Sequence, residues 1–306
     1  ILLEAGHYRI NTLFVADSVS LIGESGAAET VVEPKDEGAL LKIYGGNEVL
    51  VRGLTLRGGR AEGGGAIEVS NDASVTVEDC VFEGNQADQF RGGGVYAFGE
   101  ARLELYRCLF VNNRCERGGA LAAGDTAKLW VDRCVFSDND ATLGGALWVS
   151  DTAEATVRSS TFVSNRAAHP TGGEALFVTG ERDIGPQVVM VNTLIAGKRA
   201  VVNNPERPGK VSLAHCVVPP DTLAGGTFSD GGDNLEVQAE LVLLRAGLWC
   251  LRPGSAGAGT AHLEQIPADA LDLLGRPLVR DGAADPGALA AVGDSEDVTQ
   301  YTHIEG

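Results

Sequence analysis

The feature that most constrains the fold is a motif that occurs four times between residues 63 and 165. Each copy starts with glycines and a short apolar stretch, and it ends with a phenylalanine that an asparagine follows three residues later. The phenylalanines lie 28, 26 and 26 residues apart, at Phe82, Phe110, Phe136 and Phe162. A fixed period of this length is typical of stacked repeat architectures.

Within each unit, apolar and polar residues alternate. In the first unit they do so over residues 66–69, 74–78 and 80–82, and a period of two indicates β-strands. Three short strands and three turns in about 26 residues make one coil of a right-handed parallel β-helix. We therefore predict an all-β chain that forms a single right-handed parallel β-helix, a solenoid with coils about 4.8 Å apart.

Equivalent positions of successive units carry similar residues, as a narrow core requires. On the second strand one such column is Val75, Leu103, Leu129 and Ala155, and the next is Val77, Leu105, Val131 and Val157. The asparagines that end the units are predicted to form a ladder that satisfies buried backbone groups in the turns. They are Asn85, Asn113, Asn139 and Asn165.

This repeat, Gly-Gly-Ala-Ile/Leu followed by Phe-x-x-Asn, resembles that of the polymorphic outer membrane proteins, which are bacterial surface autotransporters. The resemblance covers residues 56–200. It implies a β-helix on the outer surface of a bacterium, or a secreted one, with a structural or adhesive role. It does not specify an activity.

The two ends of the chain differ from the repeats. Residues 1–45 resemble the first coils of pectate-lyase-like β-helices, and we expect the solenoid to occupy residues 1–230. From Gly231 onward the order of short motifs resembles the terminal segment of secreted proteins of the choice-of-anchor Q group. Residues 231–306 are therefore expected to hold the last coil or coils and a segment that caps the open end against aggregation.

The formal net charge of −18 restricts the partners. Nucleic acid is not expected, because its phosphates require a basic patch. No stretch approaches about 18 consecutive apolar residues, so no membrane span is predicted. The chain begins at Ile1 with no basic segment or cleavage site before it, which we expect of a mature protein or an excised fragment.

Three of the six cysteines occupy one register on successive coils. They are Cys80, Cys108 and Cys134, and Cys216, Ser160 and Thr193 continue the column. A disulfide or a metal site is one interpretation. The other is a stack of small buried side chains, which is how free cysteine usually behaves. The absence of any C-x-x-C pair argues against zinc.

An acidic column follows the first strands. Asn71, Glu100, Asp125 and Asp151 align there, with Glu181 near the same register. Oxygen ligands at the coil spacing would suit Ca²⁺, which is the single cofactor that we consider. The alternative is ordinary turn chemistry, since asparagine and aspartate favour turns.

A basic column lies in the turns after the asparagines. It comprises Arg91, Arg114, Arg117 and Arg166, with His169. An anionic sugar is one candidate ligand for these side chains. The alternative is that they pair with Asp88, Glu116 and Asp140 on a solvated edge.

The outward positions of the first strands are read as Glu68, Ala97, Ala122, Trp148 and Phe177. Trp148 and Phe177 are neighbours on consecutive coils, where exposed aromatic rings would stack on sugars. They would be unavailable if the loop at 181–187 or the C-terminal segment covered them. Catalysis would require Glu68, Glu100 and Asp125 to converge with an arginine in a groove.

We therefore expect a non-catalytic secreted or cell-surface module that is structural, adhesive, or binds carbohydrate or protein. One alternative is a polysaccharide lyase or glycoside hydrolase that acts on the β-helix face. Another is a scaffold segment of a larger surface or filament protein. The fold by itself does not decide among these functions, and the sequence does not indicate an oligomeric state.

Overall fold

The computed structural model describes residues 1–89, 91–181, 184–237, 241–245, 248–252, 255–272, 274, 276–280 and 282–289. The chain winds through successive coils, and each coil contributes one strand to each of three parallel sheets. The prediction of an all-β parallel β-helix with three short strands and about 26 residues per coil is confirmed.

Sheet 1 collects the first strands of the coils, sheet 2 the second strands and sheet 3 the third strands. Sheet 1 contains Leu13–Val15, Leu41–Tyr44, Ile67–Ser70, Val95–Ala97, Leu121–Ala123, Leu147–Asp151, Leu176–Gly180, Val201–Asn203 and Leu223–Gly225. Sheet 2 contains Leu2–Leu3, Val19–Gly23, Glu48–Arg52, Ser74–Glu78, Arg102–Tyr106, Lys128–Asp132, Glu154–Arg158, Gln187–Val191, Lys210–Ala214 and Phe228–Asp230. Sheet 3 contains Gly6–Ile10, Thr30–Pro34, Thr55–Arg57, Val81–Glu83, Leu109–Val111, Val135–Ser137, Thr161–Val163, Leu194–Ile195, Val217–Val218 and Leu235–Glu236.

Short elements outside the three sheets complete the described secondary structure. Two small parallel pairs lie between sheets 3 and 1: Arg60–Ala61 with Gln86–Ala87, and Asp140–Ala141 with Arg166–Ala167. Two antiparallel pairs follow the coils: Leu241–Arg245 with Leu248–Leu251, and Val279–Arg280 with Ala283–Ala284. A 3₁₀ helix spans Leu263–Gln265.

The core is a stack of equivalent side chains. The four repeat phenylalanines lie one above another with ring centroids 4.4, 4.9 and 4.7 Å apart, and their planes are within 10° of parallel. This spacing follows from the strand separation, which fixes the distance between coils. Both predicted second-strand columns occur in the observed strand register.

The four repeat asparagines form a continuous ladder beside this stack. Asn139 shows the arrangement: its Nδ2 donates to Phe110 O at 3.0 Å and to Asn165 Oδ1 at 2.9 Å. Its Oδ1 accepts from the backbone N and from Nδ2 of Asn113, both at 3.0 Å. The amides of Asn85, Asn113 and Asn139 thus bond to both neighbouring coils, so the buried donors and acceptors of these turns are paired.

The cysteine column is a second ladder, built from small hydrogen-bonding groups. Its thiols and hydroxyls all donate to the carbonyl two residues earlier in the chain. The pairs are Cys80 to Glu78, Cys108 to Tyr106, Cys134 to Asp132, Ser160 to Arg158, Thr193 to Val191 and Cys216 to Ala214. The four thiols of the column, Cys80, Cys108, Cys134 and Cys216, are free and buried, so the column is a stack of buried side chains without a disulfide.

The C-terminal part lies along the flank of the solenoid. We call the described residues between 255 and 289 the C-terminal strap. Ala288 and Leu289 pack on Leu109 and Val135, which face outward from sheet 3. The backbone N of Ala288 donates to Thr161 Oγ1 at 3.0 Å.

This position differs from the expected cap over the open end. The outward column of sheet 3 contains several apolar residues, among them Val135, Leu194 and Val217, and these require cover of their own. Leu251 packs on Leu194 and Val217, so the hairpin before the strap covers the same column. Residues 290–306 of the predicted capping segment lie outside the described residues.

Candidate functional site

A pocket of about 300 Å³ opens on the outward face of sheet 1. We call it the sheet 1 pocket. Its lining comes from several successive coils and includes Arg91, Arg117, Leu143, Trp148, Ser150, Asp151, Phe177, Thr179, Gly180, Glu181, Asn204 and Arg207. Six of these residues come from the basic column, the acidic column and the aromatic pair that the sequence indicated.

Trp148 and Phe177 form the floor of the pocket. They lie side by side at paired positions of neighbouring strands and belong to an apolar cluster with Ala122 and Val202. Their exposed fractions are only 3% and 6%, so they are outward-facing but covered. The expectation of an exposed aromatic row is therefore wrong. The rings are covered, but the described cover of Trp148 is Arg91, which neither predicted alternative named. Residues 182 and 183 of the predicted covering loop lie outside the described residues.

Arg91 supplies much of this cover. Its guanidinium lies 3.9 Å from the centroid of the Trp148 ring, and one nitrogen is 3.2 Å from Ser150 Oγ and 3.3 Å from Asp151 Oδ2. To make these contacts the side chain crosses the intervening coil at Gly124. A Cβ built at Gly124 would lie 2.7 Å from the guanidinium, so a side chain there would displace Arg91 from its present position.

The acidic column bonds to backbone amides. Asp151 Oδ2 accepts from the backbone N of Asp125 at 3.0 Å, and Asp125 Oδ2 accepts from the backbone N of Gly99 at 3.0 Å. Both aspartates have left-handed backbone, with φ of 55° and 62°. The column is thus a ladder of turn residues, in which each carboxylate binds the amide of the preceding coil.

Glu100 does not belong to that column, and the prediction that placed it there is wrong. The strand register pairs Ala97 with Ala123, which brings Gly99 opposite Asp125 and leaves Glu100 exposed. The error comes from three consecutive glycines at 92–94, of which the first two open the coil. A shift of one residue exchanges inward and outward positions. Tyr96, and not Ala97, therefore faces outward beside Glu68.

The described residues contain no group of three or more histidine, cysteine, aspartate or glutamate side chains that could hold a metal ion. Asp125 and Asp151 bond to amides, and Asp151 also bonds to Arg91, so turn chemistry accounts for the alignment of these two side chains. The calcium site predicted at Glu100, Asp125 and Asp151 therefore stays a prediction for Asp125 and Asp151 alone, since Glu100 lies outside their column.

The rim of the pocket carries the accessible polar groups. Arg117 is half-buried and lies 3.5 Å from Glu116, while Glu181 and Arg207 are exposed on the opposite side. Asn204 Nδ2 donates to Thr179 Oγ1 at 3.0 Å, which orients the amide at the edge. Glu181 and Arg207 flank the turn where Gly180 N donates to Arg207 O at 2.7 Å.

The other two arginines of the basic column lie outside this pocket. Arg114 and Arg166 flank Asp140 in the turn column after the asparagines, at 3.5 and 3.9 Å from its carboxylate. Their side chains are 71% and 78% exposed. The basic column therefore divides into a pocket pair, Arg91 and Arg117, and a solvated pair on the neighbouring edge.

The chemistry of the pocket is that of hydrogen bonding. Burial, more than any other factor, raises the pKa of the Tyr96 hydroxyl beneath Arg91 and keeps it protonated. No described residue accepts a hydrogen bond from the buried Trp148 Nε1. Two carboxylates line the pocket in the described part of the chain, and because Asp151 is bonded to protein groups, Glu181 is the accessible one of the two. Glu68, which faces the same sheet, pairs with Lys42 at 3.4 Å.

The sequence did not indicate Tyr96, Asn204 or Arg207 as site residues. A correct register at the glycine triplet would have placed Tyr96 in the outward column. Asn204 and Arg207 belong to a turn after the repeats have lost their Phe-x-x-Asn signature, so no motif marks them.

The chain belongs to the right-handed β-helix family, since the family described as right handed beta helix region matches residues 35–195. No curated protein and no solved structure matches the chain significantly. Within the part of the chain that the structure describes, no helix has the length and apolar content to cross a membrane.

Proposed function

We propose that the chain is a non-catalytic glycan-binding module of a secreted or cell-surface protein, and that the sheet 1 pocket is its binding site. The observation that carries the proposal is the gathering of Arg117, Asn204, Glu181 and Arg207 around one pocket with a fixed floor. Guanidinium, amide and carboxylate groups bond readily to sugar hydroxyls and acid groups. The volume of about 300 Å³ is at the lower end of the range for small-ligand sites.

The rigid floor supports recognition of a preformed shape. Trp148 and Arg91 hold each other in place, and the coils beneath them are fixed by the strand ladder. A site on rigid elements loses little conformational entropy when a ligand binds. Binding of a glycan would then depend mainly on the rim groups.

The arrangement of carboxylates favours binding without catalysis. General acid–base hydrolysis requires two carboxyl groups that converge on one bond. Among the described lining residues, Glu181 is the accessible carboxylate, because Asp151 is bonded to Arg91 and to the backbone N of Asp125. Glu68, Glu100 and Asp125 do not converge, since Glu68 pairs with Lys42 and Glu100 is out of register.

The location outside the cell rests on the repeat itself. Its resemblance to surface autotransporter repeats and the resemblance of the region after Gly231 to anchored secreted proteins both support a secreted or surface role. A bacterial source is part of the same proposal. The choice of a glycan as the ligand is also part of the proposal. The second candidate ligand is a surface protein.

The test is a glycan array on the whole chain, with degradation of every bound polysaccharide followed in the same samples. We expect binding of a restricted set of glycans and no new reducing ends or unsaturated products. Cleavage would contradict the non-catalytic role. An array without any bound glycan would contradict glycan binding and would direct the search to protein partners.

A further inference from the structure

Two histidines from distant parts of the sequence stack where the C-terminal strap meets the coils. The rings of His215 and His262 have centroids 4.3 Å apart, and their planes differ by 9°. His215 occupies a left-handed turn between sheets 2 and 3, with φ of 52°. His262 precedes the 3₁₀ helix of the strap. Their side chains are 17% and 38% exposed, so water and protons reach the pair.

The same place is a polar attachment of the strap to the coils. Asn192 is buried in the neighbouring turn, and its amide bonds to both backbone groups of His262, at 2.8 Å to N and 3.1 Å to O. The carbonyl of Asn192 accepts from the backbone N of Gly287 at 2.8 Å. Movement at the histidine pair would therefore disturb the strap at two points, at His262 and at Gly287, because Asn192 bonds to both.

We propose that the stacked His215–His262 pair is a pH-sensitive contact that loosens the C-terminal strap from sheet 3 when both rings become protonated. Neutral imidazoles at this distance make a favourable stack. Two imidazolium rings repel each other, and histidine is the side chain that ordinarily changes charge between pH 5 and 8. The released state carries both charges without that repulsion, so acid shifts the balance towards release.

The neighbouring charges do not cancel this repulsion. On the coil side, Asp233 Oδ2 lies 3.8 Å from His215 Nδ1, and on the strap side, Glu264 Oε2 lies 3.9 Å from His262 Nε2. Both carboxylates are exposed, at 87% and 86%, so their attraction for a charged ring is strongly screened.

Release of the strap would uncover an apolar surface. Leu109 and Val135 lie under Ala288 and Leu289, and Thr161 loses its bond from the backbone N of Ala288. The exposed column of sheet 3 would then be accessible to a partner at acidic pH. This regulation is independent of the sheet 1 pocket, which lies on another sheet.

Hydrogen exchange of the whole chain tests the proposal, with rates corrected for the intrinsic effect of pH. Between about pH 7.5 and about pH 5, we expect the amides of His262, Gly287 and Ala288 to lose protection by at least roughly fivefold. The amides of strand Leu147–Asp151 should not change, and they report in every sample that the coils remain folded.

Substitution separates the titration from the packing. His262→Phe keeps a ring in the stack but cannot be protonated, so its strap should have the same protection at both pH values. His169→Phe, at an exposed histidine distant from the strap, should respond as the wild type does.

If the His262→Phe variant does not hold the strap on the coils at neutral pH, His215→Asn replaces it as the test variant, because asparagine tolerates the left-handed turn at this position. Unchanged protection in the wild type, or equal losses in the wild type and the variant, would overturn the proposal.

Discussion

Arg91 covers the ring of Trp148 from a position two coils away, with its guanidinium 3.9 Å from the ring centroid. The same guanidinium pairs with Asp151 at 3.3 Å in a largely buried setting. The side chain of Arg91 thus extends from its own coil, past Gly124 on the next coil, to Trp148 and Asp151 on the coil after that. This relationship fixes the floor of the sheet 1 pocket, and it is the reason that the aromatic pair is not an open platform.

Arg91→Ala is expected to lower the free energy of unfolding by about 1–3 kcal/mol, because it removes a cation–π contact and leaves the Asp151 carboxylate partly unpaired. Urea denaturation followed by circular dichroism measures the change. The control is Arg102→Ala, at an exposed arginine on sheet 2, which should alter stability by less than about 0.5 kcal/mol. Equal effects of the two substitutions would show that the arginine does not stabilise the floor.

Asn139→Ala interrupts the asparagine ladder at a central rung. It removes four hydrogen bonds and leaves the backbone N of Asn113 and the carbonyl of Phe110 buried without that partner. We expect a loss of at least about 3 kcal/mol in the free energy of unfolding. Gln89→Ala, which truncates an exposed amide, is the matched control and should be nearly neutral. A small effect at Asn139 would mean that water replaces the ladder.

The buried thiol of Cys216 is expected to make the free energy of unfolding depend on pH in the alkaline range. Burial is the main cause that raises its pKa to about 12, whereas the unfolded thiol ionises near its ordinary value of about 8.5. The pKa of the thiol is higher in the folded state than in the unfolded state. Its contribution to the free energy of unfolding is therefore complete below about pH 8.5 and declines as the pH rises towards the folded-state pKa. Each thiol contributes a slope of at most about 1.4 kcal/mol per pH unit.

Cys216→Ser tests this dependence, because serine does not ionise in that range and Ser160 already occupies the same column with an equivalent hydrogen bond. Urea denaturation at about pH 7.5 and about pH 10 should show a smaller alkaline loss in the variant than in the wild type. Identical losses would indicate that the thiol ionises equally in both states. Lysine and tyrosine titration is common to both proteins and cancels in the comparison.

Calcium is tested by thermal unfolding with and without added Ca²⁺. We expect no change in Tm, because the carboxylates of Asp125 and Asp151 accept from backbone amides of the adjoining turns. Added Mg²⁺ controls for ionic strength. A rise in Tm that is specific to Ca²⁺ and is lost in Asp125→Asn would instead establish the site that the acidic column predicts.

The repeat pattern predicted most of the fold because a solenoid converts local periodicity into contacts. Each strand pairs with its equivalent one coil away, so the spacing of the phenylalanines determines the stacking of Phe110 on Phe136. The one error of register arose at the glycine triplet 92–94, where local sequence does not distinguish two alignments. Alternation on the following strand, with Val95 and Ala97 buried, resolves it in the structure.

The candidate site was less predictable because its contacts do not follow the period. Arg91 reaches past the next coil, and Arg207 comes from a turn that carries no motif. The strap was expected over the end, but the apolar outward residues of sheet 3, such as Val135 and Val217, place it on the flank. Those residues were visible in the sequence, but the partner that covers them is distant in the chain.

Isothermal titration with a glycan that the array identifies tests the central claim most directly. Arg117→Ala removes a rim guanidinium, and Arg114→Ala removes a comparable one just outside the pocket, so the two variants form a matched pair. The account predicts that Kd rises about 10-fold to 100-fold for Arg117→Ala and stays within about twofold of the wild type for Arg114→Ala. Equal affinity in all three proteins would contradict the assignment of the sheet 1 pocket as the glycan site.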